Sequence, residues 1–230
     1  MDVIGFLALG GLFTAHITGN LVVLAAHYIT GNFSQIGPLL SVPVFIAVLG
    51  TATVAFGRTD DTGRSRRALL VMHAAFRRAS SCLAQGLAPL ANPDSALAVL
   101  TGMLGVAAMA TQNALVRLAF PGSPSAAVLT TNTTQLVIDL ATLAGRRGET
   151  DEVARARRRA GLTLPSVAGF VFGCAAGAFL EVHLNLLALA LPAILAALAV
   201  PLGERWSGAL QHCQRPNPTV RAGLSRLKSS

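Results

Sequence analysis

The sequence predicts an all-α fold, a polytopic transmembrane bundle of six to eight segments in two internally repeated halves. Of its 230 residues, 53% are hydrophobic and 12% are charged, whereas a soluble domain carries about 25% charged residues. The mean hydropathy is +0.59, and long apolar runs alternate with short polar stretches. A soluble chain of this composition would have too few polar residues to cover its surface. We therefore expect a single membrane domain over residues 1–202 and a basic polar tail over 203–230.

The first half of the chain, near 1–90, contains four apolar segments, which we place at 3–12, 15–29, 36–57 and 68–90. The first covers only roughly 15 Å as a helix, half of a ~30 Å hydrocarbon core. It either joins the second as one interrupted segment or belongs to a helix whose beginning is missing. Arg77 and Arg78 interrupt the fourth segment, and an arginine at mid-bilayer costs about 2.5–3.5 kcal/mol. These two side chains need a polar interior, an anionic partner, or a tilted helix that brings them to the headgroups.

The second half, near 96–202, contains segments at 96–119, 126–144, 161–181 and 184–202. Small residues on the first, together with Gly169, Gly173 and Gly177 on the third, favour close helix packing. We expect a loop over 146–159, with six arginines. This loop and the tail carry eleven Arg and Lys residues, against four in 58–67, which predicts that both face the cytoplasm.

A polar motif interrupts an apolar run at 14–26, and a weaker copy of it follows at 129–141. At an offset of 115 residues the copies pair His16 with Thr131, Thr18 with Thr133 and Asn20 with Gln135. Each half then runs in the order motif, long helix, helix. Repeats of this kind recur in transporter folds, where interrupted helices meet at the repeat interface.

On the second motif helix, polar residues recur at i, i+4, i+8 and i+11, which places them on one stripe: Thr131, Gln135, Asp139 and Thr142. The stripe either faces other helices, where its polar groups are satisfied, or lines a solvated pathway. In the second case Asp139 is an ion or proton ligand, with Arg117 or His16 as its expected partner.

In the first motif, His16 and Asn20 share a helix face and either bond another helix or contact a solute or proton. Gln112 and Asn113 are adjacent, so their side chains point about 100° apart and only one can face a given cavity. The candidate substrate or ion pathway consists of His16, Thr18, Asn20, Gln112, Asn113, Thr131, Gln135 and Asp139.

Other classes of function find little support. The net charge is +8, but the arginines cluster between apolar runs, which is typical of lipid headgroup contact rather than nucleic-acid binding. Cys82, Cys174 and Cys213 fit no zinc or CxxC spacing, so we expect no metal and no cofactor. The sequence has no nucleophile elbow, no HExxH and no P-loop, so we do not expect an enzyme.

Three stretches resemble a known family: His-Ile-Thr-Gly-Asn at 16–20, Gln-Asn-Ala-Leu-Val-Arg at 112–117, and the threonine-rich run at 130–135. Together they resemble the YoaK family of bacterial membrane proteins, domain of unknown function 1275, over about 2–202. The resemblance implies a multi-pass protein of the bacterial cytoplasmic (inner) membrane without an established activity. Relatives usually have a longer first helix, so we expect this chain to be truncated at its start. They also tend to keep the fourth segment apolar, whereas Arg77 and Arg78 interrupt it here.

Two functions remain open. The first is a small-molecule or ion permease, with membrane lipids and a solute as partners and the two motif copies facing each other near mid-membrane. The alternative is a non-transporting membrane scaffold or accessory subunit. A dry centre with Asp139 bonded to protein would favour the scaffold, whereas a cavity bordered by both motifs would favour transport.

Overall fold

The computed structural model describes residues 1–31, 36–57, 62–86, 92–119, 129–145 and 150–214. In this part of the chain the regular elements are helices only, which confirms the all-α class. The α-helices are α1 (Asp2–Ala8), α2 (Ile17–Thr30), α3 (Ile36–Phe56), α4 (Thr62–Gln85), α5 (Ala96–Ala119), α6 (Leu129–Gly145), α7 (Thr150–Leu184) and α8 (Ala190–Gln214), with a 3-10 helix (Asn185–Leu189) between the last two.

Each of the eight predicted segments corresponds to one helix, but three helices extend into stretches expected to be irregular. Helix α4 begins at Thr62, inside the polar stretch 58–67 that precedes the fourth predicted segment. The predicted loop 146–159 is helical from Thr150, because Ala156, Ala160 and Thr163 recur at intervals of four and three residues and are all buried. Its high arginine content had suggested a loop. Helix α8 continues to Gln214, into the predicted tail. The tail beyond 214 lies outside the described residues.

Helix α4, whose apolar run is interrupted by Arg77 and Arg78, lies at the centre of the bundle. It packs against α5, α8 and the 3-10 helix. Its buried residues form one stripe: Ser65, Leu69, Leu70, His73, Ala74, Arg77, Ser80, Ser81 and Ala84. The Nδ1 atom of His73 is 2.8 Å from the Ala108 carbonyl oxygen, and the Ser80 hydroxyl donates to the Thr101 carbonyl at 3.0 Å. The polar residues of this stripe therefore face protein, which is where a membrane helix can keep them.

The surface of the bundle is apolar and much of its interior is polar. Ile29, Val54 and Phe172 are 81%, 74% and 77% exposed, while Asn20 and Asp139 are fully buried. This pattern is the reverse of a soluble protein and suits lipid contact. By length and apolar composition, α3, α5 and the continuous stretch Asp151–Leu202 can cross a membrane, and α2 is apolar but shorter.

In each half the motif helix packs against the helix that follows it, α2 against α3 and α6 against α7. The similarity of the two halves stays a prediction.

Between α1 and α2 the chain reverses direction. Gly10 and Gly11 have φ angles of +63° and +77°, which glycine adopts without steric cost. The chain then runs back along α1 until Thr14 and Ala15 lie beside Asp2. The first apolar segment is thus interrupted by a turn, and this turn places the polar motif inside the bundle.

Gly5 permits this close return, which gives a testable prediction. A Cβ atom at Gly5 would lie 2.8 Å from the Leu12 carbonyl oxygen, which is backbone and cannot rotate away. We expect Gly5→Ala to destabilise the fold by about 1–3 kcal/mol and to lower the unfolding temperature of the detergent-solubilised protein by several degrees, measured by circular dichroism.

Gly50→Ala is the matched control, since a Cβ at Gly50 on α3 would meet no atom within 4 Å. It should leave the unfolding temperature unchanged or raise it slightly, because alanine favours helix. Equal unfolding temperatures for the two variants would contradict the close approach at Gly5.

Candidate functional site

The carboxylate of Asp2, which the sequence analysis did not single out, holds the first motif in place. Its Oδ1 atom accepts hydrogen bonds from the Thr14 amide at 2.8 Å, the Thr14 hydroxyl at 2.6 Å and the Ala15 amide at 2.8 Å. Its Oδ2 atom contacts Nδ1 of His16. The imidazole is therefore held at one nitrogen, and Nε2 is the ring atom left to meet a solute.

Asn20 is fully buried and all its polar groups are engaged within the protein. Its Oδ1 atom accepts from the Phe13 amide at 2.8 Å, and Nδ2 donates to the Phe13 carbonyl and the Ser41 hydroxyl, both at 2.7 Å. These bonds join α2 to the turn before it and to α3. Of the two roles considered for Asn20, the interhelical hydrogen bond is the one observed.

Two cavities meet at the turn between α1 and α2. The first, of about 240 Å³, is lined by Met1, Asp2, Val3, Thr14, Ala15, His16, Arg77, Met109, Gln112, Gly169, Phe170, Gly173 and Cys174. The second, of about 510 Å³, is lined by Ala15, His16, Ile17, Thr18, Phe45, Leu49, Thr53, Asn113, Ala114, Arg117 and Leu118. Both include His16 and its neighbour Ala15, so His16 is the titratable side chain that the two cavities share.

The two amides of α5 point into different cavities, as their adjacency requires. Gln112 borders the first cavity and Asn113 the second. Asn113 Nδ2 also donates to the Met109 carbonyl of its own helix at 3.0 Å. With His16 and Thr18, four of the predicted pathway residues surround the two cavities.

The residues predicted on α6 lie elsewhere. Asp139 is fully buried and binds Arg159 of α7, with Nη2–Oδ1 at 2.7 Å and Nε 3.2 and 3.3 Å from the two carboxylate oxygens. Gln135 Nε2 also donates to Asp139 at 3.0 Å. The expected partner, Arg117 or His16, was wrong, because α6 packs chiefly against α7, and the early start of α7 brings Arg159 alongside it.

The second motif copy therefore does not border these cavities. Thr131 is exposed on α6, and neither cavity is lined by Thr131, Gln135 or Asp139. The repeat predicts a space bordered by both motif copies, and neither of these two cavities is bordered by both.

Arg77 is the main addition to the predicted site. Its side chain lines the first cavity, and the residue is only 7% exposed. The guanidinium contacts the sulfur of Met1 and the sulfur of Met109, the latter at 2.9 Å, and its Nε atom has no hydrogen-bond partner. Its spacing of four from His73 was the sequence signal, since both lie on one face of α4. The sequence left several placements open for Arg77 and Arg78. Arg77 lies in the interior of the bundle, whereas Arg78 is exposed.

The cysteines do not form a metal site with other described residues. Cys174 borders the first cavity, and Cys82 is exposed on α4. In the described ranges no three His, Cys, Asp or Glu side chains are grouped so that they could hold a metal ion.

A model for a family described as "Protein of unknown function (DUF1275)" matches residues 1–202. This is the family that the sequence resemblance gave by number, and the name YoaK is not part of its description. The comparison with curated proteins and the comparison with solved structures gave no match.

Proposed function

The chain belongs to DUF1275, a family whose description names no activity, and it has helices long and apolar enough to cross a membrane. We therefore propose its function from the geometry: a small-molecule or ion permease of the bacterial cytoplasmic membrane. Its partners would be lipids on the apolar surface and a solute within the bundle. No step of the proposal involves covalent chemistry.

The shared position of His16 between the two cavities carries this proposal. A solute moving from the first cavity to the second meets His16 at their common border. An imidazole can donate, accept or take up a proton near neutral pH. Asp2 contacts Nδ1 of His16 and thereby fixes the orientation of the ring. The Nε2 atom, on the opposite edge, therefore has little freedom to rotate away from a solute.

The polar groups along the route also support transport. Gln112 borders the first cavity, and Thr18, Asn113 and Arg117 border the second. Polar side chains kept inside a membrane protein are expensive unless they are bonded or solvated, and they commonly mark solute pathways. The turn between α1 and α2 adds irregular backbone within the bundle, a feature found in transporters where a solute binds.

A steric plug tests the proposal without removing a polar group. Gly173 lines the first cavity, and a Cβ atom there would meet nothing within 4 Å. We expect Gly173→Leu to fill part of the cavity and lower solute uptake at least five-fold with little change in stability. The measurement is uptake of radiolabelled sodium, acetate, alanine and glycerol into proteoliposomes containing wild type or variant.

Gly161→Leu is the matched control, because Gly161 lies on the same helix, is equally open, and lines neither cavity. It should transport like wild type. Uptake of all four solutes at the rate of protein-free vesicles, or equal uptake by the two leucine variants, would contradict a permease acting through this cavity.

A scaffold or accessory subunit is the second candidate, and two observations favour it. Asp139, the carboxylate expected to bind an ion, is engaged by Arg159 and Gln135. In addition, a Cβ at Gly169 or Gly161 of α7 would meet no atom within 4 Å, which leaves a small-residue face open for another helix. An absence of uptake combined with stable co-purification of another membrane protein would support this role.

A further inference from the structure

We propose that the first cavity binds a small oxyanion, a short-chain carboxylate foremost, with Arg77 as its charge partner. This inference rests on the proposed permease, since it names the solute class for the same site. Three observations support it. Arg77 is buried, the Asp2 carboxylate is already hydrogen-bonded, and the cavity that both residues line has room for a small ligand.

Arg77 is a buried cation without a direct ion-pair partner among the described residues. The residue is 7% exposed and its Nε atom has no acceptor. Within the described part of the chain, no carboxylate lies within 4 Å of its guanidinium. Its contacts are two thioether sulfurs, which are weak acceptors. A buried charge is normally paired and hydrogen-bonded, so the cavity presents a cation that lacks a directly bonded anion.

Asp2 lines the same cavity but makes no hydrogen bond or ion pair with Arg77. Its Oδ1 atom already accepts three hydrogen bonds from Thr14 and Ala15, and its Oδ2 atom contacts His16. Moving the carboxylate to Arg77 would release the turn between α1 and α2. The acid therefore belongs to the architecture of the turn, and the arginine is left for a ligand.

The donors around the cavity suit a carboxylate group. A guanidinium offers a planar fork of N–H donors that matches the two oxygens of a carboxylate. The Gln112 amide, which borders the same space, has two further N–H donors. An oxyanion would replace the methionine sulfurs as the acceptor for Arg77, exchanging weak contacts for charge-assisted hydrogen bonds.

The size of the cavity restricts the ligand. A volume of about 240 Å³ corresponds to roughly eight water molecules at about 30 Å³ each. This suits an anion such as acetate, propionate or butyrate. The apolar wall near Val3 and Phe170 accommodates a short alkyl chain. An amino acid is a poorer ligand, because its ammonium group would need a carboxylate with unused acceptor capacity and Asp2 has little.

Equilibrium binding tests the inference separately from transport. The purified full chain in detergent is titrated with radiolabelled acetate and propionate in a scintillation proximity assay, with methylammonium and chloride as comparators. We expect saturable binding of both carboxylates, a loss of at least ten-fold in affinity for Arg77→Gln, and a smaller loss for Arg77→Lys, which keeps the charge but not the fork. Methylammonium should not bind.

Arg78→Gln is the matched control, because Arg78 is the next residue on α4 but is exposed and does not line this cavity. It removes the same charge and should bind acetate like wild type. Circular dichroism of each variant confirms that the helices are retained. Equal acetate affinity in Arg77→Gln and Arg78→Gln, or no carboxylate binding to the folded wild type, would overturn the inference.

The two proposals fail in different ways. If acetate binds through Arg77 but no uptake occurs in proteoliposomes, the permease is wrong and the anion site stands. If uptake is blocked by Gly173→Leu but is selective for a cation and unchanged by Arg77→Gln, the permease stands and the anion site is overturned.

Discussion

Replacing Asp2 with alanine is expected to cause the largest loss of stability in this protein. The carboxylate bonds two backbone amides, one hydroxyl and one imidazole at the turn between α1 and α2. Removing one partner of a largely buried, charge-assisted network costs about 3–5 kcal/mol. For a chain of this length that corresponds to a fall of roughly 10 °C in unfolding temperature, measured on the detergent-solubilised protein by circular dichroism.

Two variants separate this effect from a general loss of charge. Asp2→Asn keeps one carbonyl oxygen as an acceptor and should fall between wild type and Asp2→Ala. Asp151→Ala removes an exposed acid from the first turn of α7 and should cost only a few tenths to about 1 kcal/mol. If Asp2→Ala unfolds within a degree or two of Asp151→Ala, the network at Asp2 does not hold the turn.

Replacing Asn20 with alanine is expected to have the second largest effect. The amide and carbonyl of Phe13 and the hydroxyl of Ser41 all bond the Asn20 side chain. Without it, two buried backbone groups lose a partner, and each such group costs about 1–3 kcal/mol. We expect a total loss of about 2–4 kcal/mol, seen as a fall of several degrees in unfolding temperature.

Asn20→Asp is the more discriminating change, because it keeps the shape but cannot donate to the Phe13 carbonyl or to Ser41 when ionised. It should be as destabilised as Asn20→Ala. Asn113→Ala is the control, since this amide donates to a carbonyl of its own helix and should lower stability little. Comparable unfolding temperatures for Asn20→Asp and wild type would show that the donated bonds are unimportant.

Local sequence patterns predicted the helices well because helix formation depends on apolar runs and on periodicity within a short window. The eight apolar stretches correspond to the eight helices. Because Gln112 and Asn113 are adjacent on a helix, the sequence also predicts that they border different cavities, as they do. The same reasoning failed at 150–159, where four arginines obscured a buried stripe of small residues at helical spacing.

Pairing across the fold required the three-dimensional arrangement. The sequence marks Asp139 as an unusual carboxylate, but it predicts a loop at 146–159 and so does not indicate Arg159 of that stretch as its partner. The two copies of the polar motif matched in sequence, yet only the first borders the cavities, because sequence similarity does not specify which helices become neighbours.

The sequence by itself determined that this is an all-α membrane protein, because composition and the length of apolar runs leave few other ways to satisfy the backbone in lipid. It also determined that the 14–26 stretch is polar within an apolar run. Only the tertiary structure decided what that stretch does. Two glycines reverse the chain, Asp2 and Asn20 hold the turn, and His16 is left between two cavities. The position of Arg77 in the first cavity, opposite a carboxylate that is already engaged, depends on the packing of α4 against α5, which helical periodicity alone does not encode.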